Sequence, residues 1–164
     1  MAETLSVADM LPNKFEPKRK NRFVLAIEGI DSFLIQESAR PDFKMGEKKL
    51  DFINSYRKIS NGRGEWQNIS VKLHDPIAPS GAQQTMEWIR THYESVSGRA
   101  GYADFYKRDI QIKILDPVGT VVELWDIKGA FLTNVGFDSL NYTSDGDPFM
   151  ITLTIAFDNC IFQF

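Results

Sequence analysis

The chain has 164 residues, of which 43% are hydrophobic and 25% are charged. A chain of this length and composition can bury one core, which excludes a largely disordered protein and leaves little room for two domains. We therefore predict a single domain over residues 1–164. The formal net charge of −3 at pH 7 argues against a protein that coats nucleic acid, because an acidic surface repels phosphates.

Residues 1–20 are predicted to form an extended N-terminal arm. Pro12 and Pro17 interrupt any long helix, and a basic cluster runs from Lys18 to Arg22. This cluster is either a solvated lead-in to the first strand or an arm that docks on an acidic neighbour. The segment lacks the apolar run of a signal peptide, and no stretch of the chain is apolar enough to cross a membrane. We therefore expect the chain to act in the cytoplasm in which it is made.

Two short strands are predicted after the arm. Apolar side chains alternate with smaller or polar ones over residues 23–28, and a second strand covers residues 33–39. Gly29-Ile30-Asp31 lies between them. Glycine and aspartate tolerate the backbone angles of tight turns, so we predict that the two strands pair as a hairpin. Pro41 ends the second strand because it cannot donate to a ladder.

The segment from Pro41 to Lys58 is predicted to be a long loop. It is rich in lysine, yet it also carries large apolar side chains that are costly to leave in water. These side chains belong to Phe43, Met45, Leu50, Phe52, Ile53 and Tyr56. From the residues alone, two arrangements stay open: the loop folds back over its own core, or a neighbouring subunit buries it.

The middle of the chain predicts one strand and one helix. Alternation resumes over Trp66–Leu73, after a turn at Asn61-Gly62. The helix covers residues 80–97, with Ser80 as its N-cap and Gly98 as its stop. Its apolar residues recur at spacings of four and three, so they should lie on the face that packs on the sheet. They are Ala82, Met86, Ile89, Tyr93 and Val96.

Residues 97–108 form a predicted loop in which basic residues alternate with aromatic ones. Such a loop can stack the bases of single-stranded nucleic acid. The alternative is a loop anchored by its aromatic side chains with its charges in solvent. The acidic character of the whole chain favours this second interpretation.

Further strands are predicted over Ile110–Ile114 and Val121–Phe131. The sequence Asp116-Pro117-Val118-Gly119 between them suits a type I turn, with proline second and glycine fourth. Gly129 inside the second of these strands predicts a bulge or a close approach of another backbone. Residues 132–148 are predicted to be a polar connection to the last strand.

The last strand, residues 149–158, has the clearest pattern in the chain. Its odd-numbered residues from Ile151 to Phe157 are apolar, while Thr152 and Thr154 lie on the other face. This second face is polar but nearly uncharged, whereas free protein surfaces usually carry lysine and glutamate. A strand that lines a water-filled passage would have this pattern, and so would an edge that another chain covers.

The predicted fold class is mainly β, an α+β arrangement. About six or seven strands, joined by turns that favour antiparallel neighbours, form a barrel-like or sandwich-like sheet with one flanking helix. Cys160 is the single cysteine, so an intrachain disulfide is impossible. We interpret it as a small apolar side chain near the end of the last strand rather than a reactive thiol.

Catalytic patterns are missing from the sequence. The two histidines, His74 and His92, have no acidic cluster at metal-ligand spacing, which argues against a metal site or a histidine-dependent hydrolase. The chain also lacks a phosphate-binding loop and a Gly-x-Ser-x-Gly elbow. We expect no cofactor and no enzymatic activity, which leaves a binding or structural role.

Five segments stand out by their order and spacing along the chain. They are Asn21-Arg22-Phe23, Ala39-Arg40-Pro41, Arg57-Lys58-Ile59 before Trp66, the stretch from Lys128 to Gly136, and the strand from Ile151 to Asp158. Together they resemble the tail tube protein family of contractile-tailed bacteriophages, which is related to the tube proteins of pyocins and contractile injection systems. The resemblance covers roughly residues 15–160.

The resemblance implies a homo-hexameric ring whose strands form a continuous inner β-barrel, with rings stacked into a tube through which genomic DNA passes. The N-terminal arm and the long loop would then make contacts between rings or subunits. The residues of the loop expected at this interface are Phe43, Met45, Leu50, Phe52, Ile53, Tyr56 and Arg57. Thr152 and Thr154 become candidates for the channel lining, and we expect a net negative lumen that does not hold DNA. Glu87, Arg90 and Glu94, away from the apolar face of the helix, become candidates for the surface that faces the sheath.

The implied partners are the sheath, baseplate and tail-terminator proteins, and the implied location is the tail of a virion assembled in the bacterial cytoplasm. Two related alternatives share the fold: a tube-like adaptor at the baseplate or tail terminus, and a tube protein of a non-viral contractile injection system. A monomeric β-barrel that binds a small ligand is an alternative from another class.

Overall fold

The structure is a computed structural model that describes residues 6, 10 and 14–163. As predicted, it is mainly β, with an antiparallel sheet and one main helix. A 3-10 turn covers Ser32–Leu34, and the helices are α1 (Gly81–His92) and α2 (Ala103–Tyr106). The strands are β1 (Phe23–Ile27), β2 (Ile35–Ser38), β3 (Phe43–Phe52), β4 (Ser55–Trp66), β5 (Ile69–His74), β6 (Tyr93–Glu94), β7 (Arg99–Ala100), β8 (Arg108–Leu115), β9 (Val121–Phe137), β10 (Met150–Ala156) and β11 (Asn159–Phe162).

Strand β9 joins two half-sheets because it is long enough to pair with different strands along its length. Seven strands lie in the order β1-β8-β9-β10-β5-β2, with β11 also paired to β9, and all these pairs are antiparallel. Residues 121–130 of β9 pair with β8, which carries β1, and this first half-sheet includes β11. Residues 131–137 of β9 pair with β10, and the second half-sheet continues to β5 and β2.

Both half-sheets and helix α1 contribute to one buried core. Alternation places one face of each strand inside. The first half-sheet contributes isoleucines of β8 and β9, and the second contributes the buried face of β10, as predicted. Trp88 of α1 is 1% exposed within the same cluster. The residues of β10 in this core are Ile151, Leu153 and Ile155.

The prediction that the first two strands form a hairpin is wrong. Strand β1 pairs with β8, while β2 pairs with β5, so the two lie at opposite ends of the strand order. The intervening turn contains a single bridge between Ile27 and Ile30 and then the 3-10 turn at Ser32–Leu34. Ile30 and Leu34 are both buried in the segment that connects the two half-sheets. Their burial anchors this connection.

Helix α1 starts where the sequence predicted but ends earlier and buries a different face. Ser80 is the N-cap, and its hydroxyl accepts a hydrogen bond from the backbone N–H of Gln83. The helix ends at His92 instead of residue 97, and the chain continues into β6. Its buried residues are Gly81, Thr85 and Trp88, with Ala82 and Ile89 partly buried beside them. The predicted core residues Tyr93 and Val96 are exposed.

Trp88 determines which face of helix α1 is buried, because its large side chain has specific partners in the core. Its indole N–H donates a hydrogen bond of 2.8 Å to the backbone carbonyl of Tyr106, and the Arg108 guanidinium lies 4.7 Å from the ring centroid. Burial lowers the pKa of Arg108, although Glu28 and Glu87 oppose this shift. The indole therefore fixes the segment that leads into β8.

The segment predicted as a long loop, residues 41–58, instead forms most of a β-hairpin. Strands β3 and β4 pair antiparallel from Phe43 opposite Trp66 to Phe52 opposite Ser55. The alternation signal is weak in this segment because a free ribbon has no dry face to enrich in apolar residues.

Strand β9 is longer than predicted. It extends to Phe137, six residues beyond the predicted end at Phe131, so the polar connection shortens to residues 138–149.

Gly129 forms the predicted bulge in β9. Residues 108 and 110 of β8 face residues 130 and 127 of β9, so β9 has one extra residue at this point. Gly129 has φ +68°, and a Cβ built there would lie 2.2 Å from a carboxylate oxygen of Asp158. The predicted turn at Asp116 also forms, with the N–H of Gly119 donating to the carbonyl of Asp116 at 3.2 Å.

Cys160 is 7% exposed within the core, as predicted for a small apolar side chain. Burial, with a smaller contribution from Asp126, raises the pKa of the Cys160 thiol to about 11. The thiol is therefore protonated at neutral pH and poorly reactive. Within the described residues, no helix is long and apolar enough to cross a membrane.

We expect Gly129→Ala to lower the free energy of unfolding by about 2–4 kcal/mol, because it adds a steric clash with Asp158 to the cost of a left-handed backbone. Gly119→Ala is the matched control, since Gly119 has φ +96° but open space around its Cβ position. It should cost only about 1–2 kcal/mol. Urea denaturation measures both variants, and equal losses would show that the close approach to Asp158 has no energetic effect.

Candidate assembly surfaces

The β3–β4 hairpin is a ribbon that lies largely in solvent. Of the predicted interface residues, Leu50 is half-buried, and the others, including Arg57, are exposed. The exposed apolar side chains on the ribbon include Phe43, Met45, Phe52 and Tyr56, each about half exposed or more. The structure thus does not bury this segment on the body of its own chain, which removes the first of the two arrangements considered for it.

The tip of the hairpin is Phe52-Ile53-Asn54-Ser55. Ile53 is fully exposed, and its φ of +30° makes it the non-glycine residue with a positive φ in the described part of the chain. Below the tip, Lys58 pairs with Glu47 at 2.8 Å and the ammonium of Lys49 lies 4.3 Å from the ring centroid of Tyr56. The ribbon is therefore held by its own cross-strand pairs.

The base of the hairpin is attached to the body through Trp66. Its ring packs edge-on against Phe43 with a centroid distance of 4.8 Å, and it contacts Phe157 at 6.0 Å. Its indole N–H donates to the side-chain oxygen of Asn159 at 3.2 Å. Gly64 lies directly under the Phe43 ring, where a Cβ would clash. These contacts fix the root of the ribbon and leave its outer part free.

The second half-sheet has an unpaired edge on each side. Within the described residues, β2 pairs only with β5, and residues 131–137 of β9 pair only with β10. On the β9 side the edge is open because β8 begins at Arg108, opposite Ala130. Unpaired N–H and C=O groups along such edges are available to another strand.

The polar face of the second half-sheet contains the predicted channel residues. Thr152 and Thr154 are half-buried on the side of β10 opposite to the core. Their neighbours across the sheet are Ser70 and Lys72 on β5 and Asn134 and Gly136 on β9. Lys72 forms an ion pair of 2.9 Å with Glu37 of β2. The charges of this pair cancel, so the row through Thr152 is balanced. The net negative lumen stays a prediction.

The charged side of helix α1 is exposed as predicted for Glu87 and Arg90. Glu94 is also exposed, but it lies on β6 beyond the helix, where it accepts a hydrogen bond from Ser97. The predicted loop over residues 97–108 contains β7 and α2, and Tyr102 and Phe105 in it are largely exposed. Two of the three charged residues thus lie on helix α1, and the third lies on the strand that follows it.

Glu123 on β9 is a buried carboxylate that the sequence analysis missed. Its side chain is only 5% exposed and lies on the core face of β9, opposite Ile114 of β8. Lys18 of the arm approaches it at 2.5 Å, Arg40 after β2 at 3.4 Å, and the Trp125 indole N–H donates at 2.5 Å. The alternation Val121, Glu123, Trp125, Ile127 places an acid on an inward-facing position, which was the available signal.

The three donors around Glu123 determine its ionisation. Burial by itself would raise its pKa, but hydrogen bonds from Lys18 and Trp125 and the positive charges of Lys18 and Arg40 outweigh burial and lower the pKa. The ionised carboxylate therefore attaches the end of the arm and the chain after β2 to the first half-sheet. Of the two roles proposed for the basic cluster, docking on an acidic group describes Lys18, although the acidic group belongs to the same chain.

In the described residues, no group of three or more histidine, cysteine or acidic side chains is placed to hold a metal ion. The ring of His92 stacks on that of Tyr106 at a centroid distance of 4.3 Å and lies 6.1 Å from the ring centroid of Phe131, so it forms part of an aromatic cluster.

The other predicted arm residues, 1–5, 7–9 and 11–13, lie outside the described part of the chain.

The strand order, the open second half-sheet and the projecting hairpin define a fold that occurs in the tube and tube-terminator proteins of contractile injection systems. The chain is similar to the tube-terminating cap of the anti-feeding prophage, with a TM-score of 0.73, 18% identity, and coverage of 97% of this chain and 99% of that one. It is also similar to two chains of the extracellular contractile injection system PVC, both in the extended state. For the sheath/tube terminator, the TM-score is 0.71, identity 20%, and coverage 92% and 99%.

For the PVC sheath-tube complex, the TM-score is 0.65 with 19% identity, and the match covers 98% of this chain and 99% of that chain. No protein-family model matches the chain, and no curated protein matches its sequence. The resemblance predicted from the sequence is therefore confirmed by structural likeness. At these identities the likeness establishes the fold.

Because the pKa of Glu123 is lowered in the folded state, its contribution to stability should be complete above its ordinary value of 4.5 and disappear as pH falls through the folded value. We expect Glu123→Gln to lower the free energy of unfolding by about 1.5–3 kcal/mol at pH 7. This difference should shrink below pH 4.5 in denaturation series at several pH values.

Glu47→Gln is the matched control for this measurement, because Glu47 forms an exposed ion pair with Lys58. It should change stability by about 0.5 kcal/mol or less. A loss for Glu123→Gln that is the same at pH 4 and pH 7 would contradict the role of the ionised carboxylate.

Proposed function

We propose that this protein is a structural subunit that closes into a ring with copies of itself and stacks into the tube of a contractile tail or injection machine. The observation that carries the proposal is the second half-sheet, which has four strands, two unpaired edges and a polar face with few charges. A single copy leaves both edges open, which is an aggregation risk that closure with other copies removes.

The strand directions allow such closure. Strand β2 runs from the end of the second half-sheet marked by His74 and Met150 toward the end marked by Ile69 and Ala156, and β9 runs the opposite way. Copies related by rotation about an axis parallel to the strands keep the same orientation. The β2 edge of one copy therefore lies antiparallel to the β9 edge of the next, and the ladder continues around the ring.

The proposed ring number is six, as in the related tubes that the sequence resembles. Six copies with four strands each make a barrel of 24 strands. At about 4.8 Å between strands, its circumference is on the order of 115 Å and its diameter about 37 Å before strand tilt. Barrels of 16–18 strands already leave an aqueous channel, so a barrel of this size would be open.

The polar face would line this channel. Thr152, Thr154, Ser70 and Asn134 offer hydroxyl and amide groups, and Lys72 is neutralised by Glu37. A lining without unpaired lysine or arginine would not hold phosphates, because each such contact adds affinity for nucleic acid. We therefore propose that genomic DNA passes through the lumen without specific binding and that the protein acts as a conduit rather than an enzyme.

The remaining surfaces are assigned by position. The β3–β4 hairpin would contact other copies, and the exposed surface with Glu87, Arg90 and Glu94 would face the sheath. Sheath, baseplate and terminator proteins are the proposed partners, and the proposed location is the tail of a virion assembled in the host cytoplasm. A tube protein of a non-viral injection system would use the same surfaces.

A tube terminator or baseplate adaptor is the second candidate. It is favoured by the higher TM-scores to a tube-terminating cap and a sheath/tube terminator, 0.73 and 0.71, against 0.65 for the sheath-tube complex. A terminator forms a ring that does not continue into a tube. The hairpin favours a stacking subunit, because a long exposed ribbon is costly unless a further copy buries it.

Negative-stain microscopy of the purified protein tests these two candidates. We expect tubes from the full chain and isolated rings after deletion of residues 47–60, because the deletion removes the outer part of the ribbon and keeps its root. Gly46 then joins Asn61-Gly62, a dipeptide that forms two-residue hairpin turns. The substitution of Phe52 and Ile53 by serine is a milder control with the ribbon retained. Isolated rings from the full chain would favour the terminator.

Disulfide cross-linking tests ring closure directly. Ser38 on β2 lies level with Val135 on β9 across the sheet, so we combine Ser38→Cys with cysteine at Thr133, Val135 or Phe137. Within one chain these edges are three strand spacings apart, about 14 Å, which is too far for a disulfide. Cys160 can remain because it is buried.

We expect a ladder of covalent multimers that stops at the ring number, six, on non-reducing gels for at least one pair. Each single-cysteine variant serves as the control and should give no ladder beyond a dimer. Monomers with every pair, in a protein that sediments as a single copy, would contradict the ring and favour a monomeric barrel.

A further inference from the structure

The edge that the proposed ring needs is longer than strand β2. Strand β2 ends at Ser38, which lies level with Val135, so its four residues, one of them in a bulge, lie level with residues 135–137 of the β9 edge. Residues 131–134 of β9 lie level with the chain that follows β2. We call this chain, residues 39–42, the edge extension.

Two backbone hydrogen bonds attach the edge extension to its own half-sheet side. The N–H of Ala39 donates to the carbonyl of Ser70 at 2.9 Å, and the N–H of Gln67 donates to the carbonyl of Asp42 at 2.8 Å. Pro41 between them has no N–H to donate. The extension thus continues the direction of β2, but with fewer ladder bonds than a regular strand.

Arg40 adds a contact to the other half-sheet. It lies two residues after Ser38, so its side chain leaves the backbone on the same inward side. Its guanidinium lies 3.4 Å from Oε1 of Glu123. Among the hydrogen bonds and ion pairs of the described residues, this contact alone joins residues 35–42 to the first half-sheet.

Side-chain packing does not replace this contact, because the two half-sheets are separated beside Arg40. A cavity of about 550 Å³ lies between them, and residues 18–22 of the arm contribute to its lining. Its walls include Ser38 and Arg40 from the second half-sheet and Phe23, Ile112 and Ile114 from the first. The bridge to Glu123 therefore spans an open part of the interior.

Lys18 of the arm binds the other oxygen of the same carboxylate. Its ammonium lies 2.5 Å from Oε2 of Glu123, whereas Arg40 and the Trp125 indole N–H share Oε1. The arm and the edge extension are thus attached to one buried group through separate contacts. Either contact can be removed by a substitution that leaves the other in place.

We propose that Glu123 is a positioning residue for ring closure. Through Arg40 it holds the edge extension in line with β2, so that residues 131–137 of the next copy meet one continuous strand edge. An edge that is ordered beforehand pairs more readily, because closure does not have to order it. This inference rests on the proposed function, since it identifies what prepares the β2 edge for closure.

Removal of either partner of the bridge tests this role. The variants are Arg40→Gln, Glu123→Gln, the double variant, and Arg40→Lys, which keeps the charge. Ring closure is followed by the initial rate of ladder formation in the Ser38→Cys/Val135→Cys background, and by sedimentation of the same variants without the engineered cysteines.

Two controls separate positioning from other effects. Lys18→Gln is the matched control, because it removes one charge from the same carboxylate but releases the arm instead of the edge extension. Gly119→Ala controls for a general loss of stability, because Gly119 lies in the turn between β8 and β9. Both controls should close rings like the parent chain.

We expect Arg40→Gln and Glu123→Gln each to lower the rate of ladder formation and the ring fraction at least about tenfold, since closure must then order the extension. The double variant should close no more slowly than the slower single variant, because both changes remove the same contact. Arg40→Lys should close faster than Arg40→Gln.

Hydrogen exchange tests the positioning in single copies, at a protein concentration too low for rings. Arg40→Gln and Glu123→Gln should speed exchange of the Ala39 amide at least about tenfold, because the segment that carries it opens more often. Lys18→Gln should leave this exchange rate unchanged.

Three results would overturn the inference. Arg40→Gln and Glu123→Gln could close rings as fast as the parent chain, or Lys18→Gln could slow closure as much as Arg40→Gln. The effects of Arg40→Gln and Glu123→Gln could also add in the double variant, which would mean that Arg40 contacts the next copy directly. A missing ladder in the parent chain would instead overturn the proposed ring, while the exchange rate of Ala39 would still show whether Glu123 orders the extension.

Discussion

The fold depends on strand β9, which belongs to two half-sheets and has a free edge on only one of them. The bulge at Gly129 and the end of β8 at Arg108 fall at the same level of β9. Beyond this level the chain before β8 turns away into α2, whose carbonyl at Tyr106 is held by the Trp88 indole. Packing around Trp88 therefore keeps a neighbouring strand of the same chain off residues 131–137. The unpaired edge of β9 thus results from packing in the core of the same chain.

Much of the strand content could be predicted from the sequence because the core face of each half-sheet imposes a period of two. Strand β10 is the clearest example, since all of its inward residues are apolar. Local chemistry also predicted the N-cap at Ser80 and the bulge at Gly129 correctly. The likeness to tube proteins added the type of fold, and the structural comparisons agree with it at that level.

The predictions from the sequence that were wrong or incomplete concern features that depend on tertiary contacts, or on the lack of them, rather than on the local sequence. Neighbouring strands usually pair, but β1 and β2 pair with β8 and β5, and the turn between them gives no sign of this. The β3–β4 hairpin has no buried face, so its pattern resembles a loop. Glu123 carries a charge into the core because Lys18 and Arg40 reach it from elsewhere in the chain. Trp88 is buried through contacts with the segment that precedes β8.

The even number of strands in the second half-sheet limits how the width of a pore built from it can evolve. Removing or adding one strand would place two strands of the same direction side by side at every junction between copies. Width can therefore change by pairs of strands or by whole copies. Each extra copy would widen the pore by about 6 Å, from four spacings of about 4.8 Å divided by π. In the proposed ring, the pore is therefore limited to a few discrete diameters, and any cargo would have to fit one of them.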